Sequence, residues 1–104
     1  MDGFALTLRG NPVLALSEAR PNPFAGATRF QLTLDRPADV AVGIYDLGGR
    51  LVAAIHRGAL GAGTHDFAWN GRRDGGAPAT SGVYFYRAAS GKETVSRKVV
   101  LLGN

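Results

Sequence analysis

The chain has 104 residues, 45% of them hydrophobic, enough for one domain with its own core and unlike a disordered tail. It has no cysteine, which excludes disulfides and thiolate metal sites. Twelve basic and eight acidic residues leave a charge of +4, but apart from Arg72-Arg73 and Arg97-Lys98 the cations stand singly, without the aromatic-interleaved basic stripe of a nucleic-acid binder.

In chain order, Phe4, Leu6 and Leu8 alternate with Ala5, Thr7 and Arg9. This predicts an extra strand or a linker within residues 1–13. A strand here without a partner in its own domain would donate itself to the sheet edge of another copy. The start lacks the charged-then-apolar pattern of a signal peptide, so an exported protein of this sequence would be a processed or partial chain. No apolar run reaches ~18 residues, and direct membrane insertion is not expected.

A run from Leu14 to Ala19 opens the domain expected over residues 14–104, and Pro21-Asn22-Pro23-Phe24 follows as a rigid turn. Thr28 to Leu34 alternates Phe30, Leu32 and Leu34 with polar residues, as a half-buried strand does. Val40 to Tyr45 and Leu51 to His56 are the next strands, joined by the turn Asp46-Leu47-Gly48-Gly49-Arg50. Gly58 to Gly63 reads as a loop, Thr64 to Trp69 as a strand and Asn70 to Gly82 as a long polar loop. Val83 to Ala88 and Thr94 to Leu102 close the chain. About seven short strands with regular turns predict an all-β, immunoglobulin- or fibronectin-III-like sandwich.

Candidate chemistry is sparse. With the loop centred between Leu60 and Gly61, His56 stands directly opposite His65 in a hairpin, near enough to share a metal, but no third ligand is fixed. Asp46, Asp66, Asn70 and Asp74 offer oxygens of the kind calcium takes, yet Arg72 and Arg73 intrude among them, and only weak binding in loop 70–82 is conceivable. The simpler reading has Asn70 and Asp74 closing Asx turns. Trp69 belongs in the core, and the hydroxyls of Tyr84 and Tyr86 reach backbone at the rim. Ser81, Ser90 and Ser96 lie in no nucleophile motif, and Gly75-Gly76 forms no phosphate loop. Neither enzyme activity, nor a cofactor, nor a metal is expected.

Five motifs stand in order: Pro21-Asn22-Pro23-Phe24, Ile44 to Arg50, Trp69-Asn70-Gly71, Gly82-Val83-Tyr84-Phe85-Tyr86-Arg87 and Lys98-Val99-Val100-Leu101-Leu102. Together they resemble the immunoglobulin-like domain of the flagellar hook-capping protein and its relative, the C-terminal sorting domain of type IX secretion cargo. The likeness covers roughly residues 14 to 102. The family usually has Asp after the Trp, where Asn70 stands here, and often a second Asn-Pro where Ala25-Gly26-Ala27 stands.

The resemblance implies a non-enzymatic C-terminal sorting or anchoring module of a longer exported bacterial protein, extracellular or at the cell surface. Its partners would be secretion or anchoring machinery, or copies of itself. By the same resemblance Gly82, Tyr84 and Lys98 fall in the late motifs. With Val99, Val100, Leu101 and Leu102 they are the expected recognition residues. The last strand, close to the end of the chain, is expected to present an exposed edge. Two alternatives stand beside this: a self-assembling structural subunit donating Phe4, Leu6 and Leu8 as a strand, and a hook-capping domain.

Overall fold

The computed structural model describes residues 12–103. Phe4, Leu6 and Leu8 lie outside them. Seven strands are present among the described residues: β1 (Leu14–Leu16), β2 (Thr28–Leu34), β3 (Ala38–Tyr45), β4 (Leu51–Leu60), β5 (Gly63–Trp69), β6 (Gly82–Ser90) and β7 (Glu93–Leu101). They form two antiparallel sheets, β1-β2-β5 and β4-β3-β6-β7, packed face to face as a sandwich.

Period-two patterning explains the layers. Phe30, Leu32 and Leu34 of β2 face Val40, Val42 and Ile44 of β3 and Tyr84, Tyr86 and Ala88 of β6, all buried. The Phe30 and Tyr86 rings meet across the sheets at 4.4 Å between centroids. Each such apolar side chain contributes about 1.5–3 kcal/mol on leaving water. Trp69 closes one end of the core, edge-on to Phe24 at 5.5 Å and to Tyr84 at 5.0 Å. Among the described residues no buried side-chain nitrogen or oxygen lacks a partner.

Two expectations are corrected. Residues Gly58 to Leu60 are not loop: β4 continues through them, pairing Gly58 with Val40, Ala59 with Asp39 and Leu60 with Ala38. Gly58 tolerates its φ of 137° and stays in the ladder. His56 and His65 are not cross-strand partners either. The chain changes sheets at Gly61-Ala62, so His56 pairs with Val42 and His65 with Leu32. His56 instead lies against the Phe67 ring at 5.6 Å, and each imidazole Nε2 is bonded to a nearby carbonyl, Gly58 O at 3.2 Å and Gly61 O at 2.8 Å.

The β3–β4 turn is held by Asp46. Its Oδ1 accepts the Arg50 amide at 2.9 Å, and its Oδ2 lies 3.5 Å from Arg50 Nε. The Arg50 amide bond, helped by the Arg50 charge against some desolvation, keeps this carboxyl below the ordinary aspartate range. Asp35 is lowered in the same way, first by the Val13 amide at 2.8 Å and then by Arg36. A carboxyl depressed in the folded state adds stability that is complete above its unfolded pKa and lost as pH falls through the folded one. Stability is therefore expected to decline below about pH 4. In urea titrations at stepped pH, Asp46→Asn should flatten that decline; an unchanged slope would refute the assignment.

Candidate recognition surface

The closing strands sit at one side of the sandwich. β6 pairs β7 along its whole length, Gly82 with Leu101 through Ser90 with Glu93. Gly82 opens β6 at φ 153°, a backbone angle that side-chain-bearing residues rarely adopt. β7 is the last strand of its sheet, so its other edge would be open.

That edge is partly taken. Residues 14–20 run along β2, with Arg20 bridging Arg29, and the same segment then crosses to the other sheet, where Phe24 forms a parallel bridge to Leu101. The Phe24 amide donates to Val100 O at 2.9 Å, and the Leu102 amide donates to Phe24 O at 2.8 Å. Asn22 completes the seam: its Oδ1 accepts the Val100 amide at 3.0 Å and its Nδ2 donates to Lys98 O at 3.4 Å. Both X–Pro bonds in this segment, Arg20–Pro21 and Asn22–Pro23, are cis. Through its bonds to Val100, Leu102 and Lys98, Pro21-Asn22-Pro23-Phe24 is a clamp on the last strand as well as a turn. Nearer the start of β7, Arg97 Nε reaches across to Leu16 O at 2.7 Å.

Alternation along β6 and β7 divides the expected recognition residues. Tyr84, Val99 and Leu101 point into the core and are buried. They reach a partner only if the sandwich opens. Lys98 and Val100 face outward, and Leu102, beyond the strand end, is 54% exposed. Phe85 pairs with Lys98 and Val83 with Val100 on the same outer face.

Both tyrosine hydroxyls reach backbone, as expected. Tyr84 donates to Thr80 O and Tyr86 to Ser17 O, each at 2.6 Å. Burial raises the Tyr86 phenol above its ordinary value, opposed in part by Arg97.

The four oxygen-bearing side chains of the kind calcium takes are dispersed. Asp66 on β5 accepts from Gln31 Nε2 at 2.8 Å, and Asp46 is engaged in its own turn. Asn70 does close an Asx turn, accepting the Arg72 amide at 3.1 Å. Asp74 does not; its Oδ2 accepts the Ala54 amide at 3.0 Å and pins the 70–81 loop to β4. Trp69 Nε1 donates to Arg72 O at 2.9 Å, fixing the same loop from the core. Among the described residues no group of three or more acidic or imidazole side chains is placed to hold a metal.

The sequence profile of the FlgD Ig-like domain family matches residues 19–93. Basal-body rod modification protein FlgD of Salmonella typhimurium strain LT2 is 34% identical over 83 residues, covering 79% of this chain and 36% of that protein. The protein of the same name from Escherichia coli K12 matches with the same identity and coverage. The chain therefore spans little more than a third of the length of these curated relatives. Among solved structures, dimeric latent PorU from Porphyromonas gingivalis superposes with a TM-score of 0.71 at 20% identity, over 89% of this chain and 10% of that one. PorZ, described as an essential bacterial surface component of the type-IX secretion system of the same organism, gives 0.54 at 24% identity, over 97% and 12%. At these identities the two structures share the fold.

Proposed function

The chain belongs to the FlgD Ig-like domain family, and from that premise we propose that it is a non-enzymatic protein-docking module, acting as the sorting or anchoring part of a longer exported surface protein. Residues 14–104 form the module and 1–13 an extension. The observation that carries this reading is the last strand: bonded to β6 on one side and to the Pro21–Phe24 segment on the other, it offers Lys98 and Val100 as part of a folded surface. Outer-membrane machinery would read that surface, not a loose peptide.

Point variants test this better than truncation, because removing residues 98–104 also removes the core residues Val99 and Leu101. With the full chain fused to a reporter in a type IX-competent host, Lys98→Glu with Val100→Asp should lower surface delivery about tenfold or more, as loss of central interface residues does. Thermal unfolding should be little changed. Undiminished delivery of this folded variant would defeat the sorting role.

A second reading, the Ig-like domain of a hook-capping protein, is favoured by the 34% identity to the FlgD relatives. It expects that FlgD carrying this chain in place of its own Ig-like domain restores hook assembly, and fails if no hooks form while the chimera is stable.

A further inference from the structure

The outer face of the β4-β3-β6-β7 sheet is unusually apolar at one end. The ladder sets Leu51, Tyr45, Phe85 and Lys98 in one row across four strands, with Val83 and Val100 paired beside them. Leu51 is 47% exposed, and Leu47, on the turn at the same end, is 70% exposed. Tyr45, Phe85, Val83 and Val100 are half-buried while facing out.

Gly43 explains how the patch closes up. A Cβ there would lie 2.9 Å from Leu51 Cδ1 and 3.2 Å from Tyr45 Cε1, so Leu51 and Tyr45 lean over the bare backbone between the rows. β-Bulges beside Gly43 and Tyr45 re-aim this part of the sheet. Arg87, in the next row, holds its guanidinium 4.4 Å from the centre of the Tyr45 ring. The patch is thus aliphatic and aromatic, with one cation already seated.

The charges on this face have one sign over most of its length. Arg57, Arg87 and Lys98 face outward, while Asp39 lies in the outer row at the opposite end of β3. Two copies meeting apolar patch to apolar patch in an isologous contact would bring the Arg87 and Lys98 cations of both together. Charge complementarity favours a different occupant. Tyr, Phe and Arg at the centre of an apolar patch are also the composition of a protein interface.

We propose that this outer face docks a partner protein whose contact surface is apolar and ringed by carboxylates. The inference rests on the docking-module reading and adds the location of the contact and the chemistry of the partner. Tyr45, Phe85 and Val100 supply the desolvated centre; Arg87 and Lys98 supply steering and register.

The test uses the purified full chain and two probes: a soluble extended peptide alternating Leu or Phe with Glu, and its counterpart with Lys replacing Glu. The glutamate peptide should bind at least about tenfold more tightly, weaken as salt rises, and shift the amides of residues 45, 83–87 and 98–100. The double variant Arg87→Glu/Lys98→Glu should reverse the preference, which unfolding could not do. Equal binding of both peptides, or shifts confined to other faces, would overturn the proposal. So would self-association through this face in a dilution series, or capture of anionic phosphatidylglycerol vesicles by it in preference to the glutamate peptide. Because no delivery step is involved, failure here with delivery still lost in the Lys98→Glu/Val100→Asp chain would remove the acidic partner and leave the docking module standing.

Discussion

Trp69→Ala is expected to lower the free energy of unfolding by about 3–5 kcal/mol, as large-to-small changes at buried aromatics do. Trp69 is only 2% exposed and packs between Phe24 and Tyr84, so alanine leaves a cavity lined on both sides by rings that cannot collapse into it. It also removes the Nε1 donor to Arg72 O, the core's hold on the 70–81 loop. A domain of this size has only about 5–15 kcal/mol in total, so much of its stability goes with one side chain. Urea denaturation followed by circular dichroism measures the difference; a loss under about 1 kcal/mol would mean that the ring is peripheral to the core.

Phe24→Ala is expected to cost a similar ~3–5 kcal/mol, with a second signature that Trp69→Ala lacks. Phe24 is 1% exposed, and its backbone bonds Val100 and Leu102 on the edge of β7. Losing the ring frees the clamp, so amide exchange at Val100 and Leu102 should rise above that of the β3 and β6 core amides. Asn22→Ala, which removes the acceptor of the Val100 amide, should expose that amide at about 1 kcal/mol. Because the Phe24 and Trp69 rings touch, the two alanine changes should fall short of additivity by roughly 0.5–1.5 kcal/mol in a double-mutant cycle. Exchange at Val100 and Leu102 no faster in Phe24→Ala than in the unaltered chain would rule out the clamp.

Strands with one buried face were legible from spacing alone. Thr28–Leu34 is bounded as its alternation predicts and buries every second residue, and the sandwich follows from seven such segments. What period two does not carry is which strand pairs with which. Gly58 and Gly61 carry the same local turn signal, yet one lies inside β4 and the other at a change of sheet; only pairing with β3 distinguishes them. The hairpin reading that set His56 opposite His65 failed for that reason. Pro21-Asn22-Pro23-Phe24 was legible as a turn, but its grip on a strand some eighty residues later is a long-range contact without local trace.

The surface was half legible. The late motifs fall on β6 and β7, and alternation separates Lys98 and Val100 outside from Tyr84, Val99 and Leu101 inside. Tyr45, Leu51 and Phe85 belong to three strands, and their adjacency exists only in the paired sheet.

The crossing of residues 14–24 from one sheet to the other has a mechanical consequence. Phe24 runs parallel to the end of β7, so the described chain enters the sandwich at one pole and leaves it at the other. Tension along the polypeptide slides these neighbours past each other. The bonds from Phe24 to Val100, from Leu102 to Phe24 and from Val100 to Asn22 lie across that pull and are sheared together rather than peeled one by one. A protein held at one end and dragged at the other would load the bonds of residues 14–20 to β2 first, and this seam next.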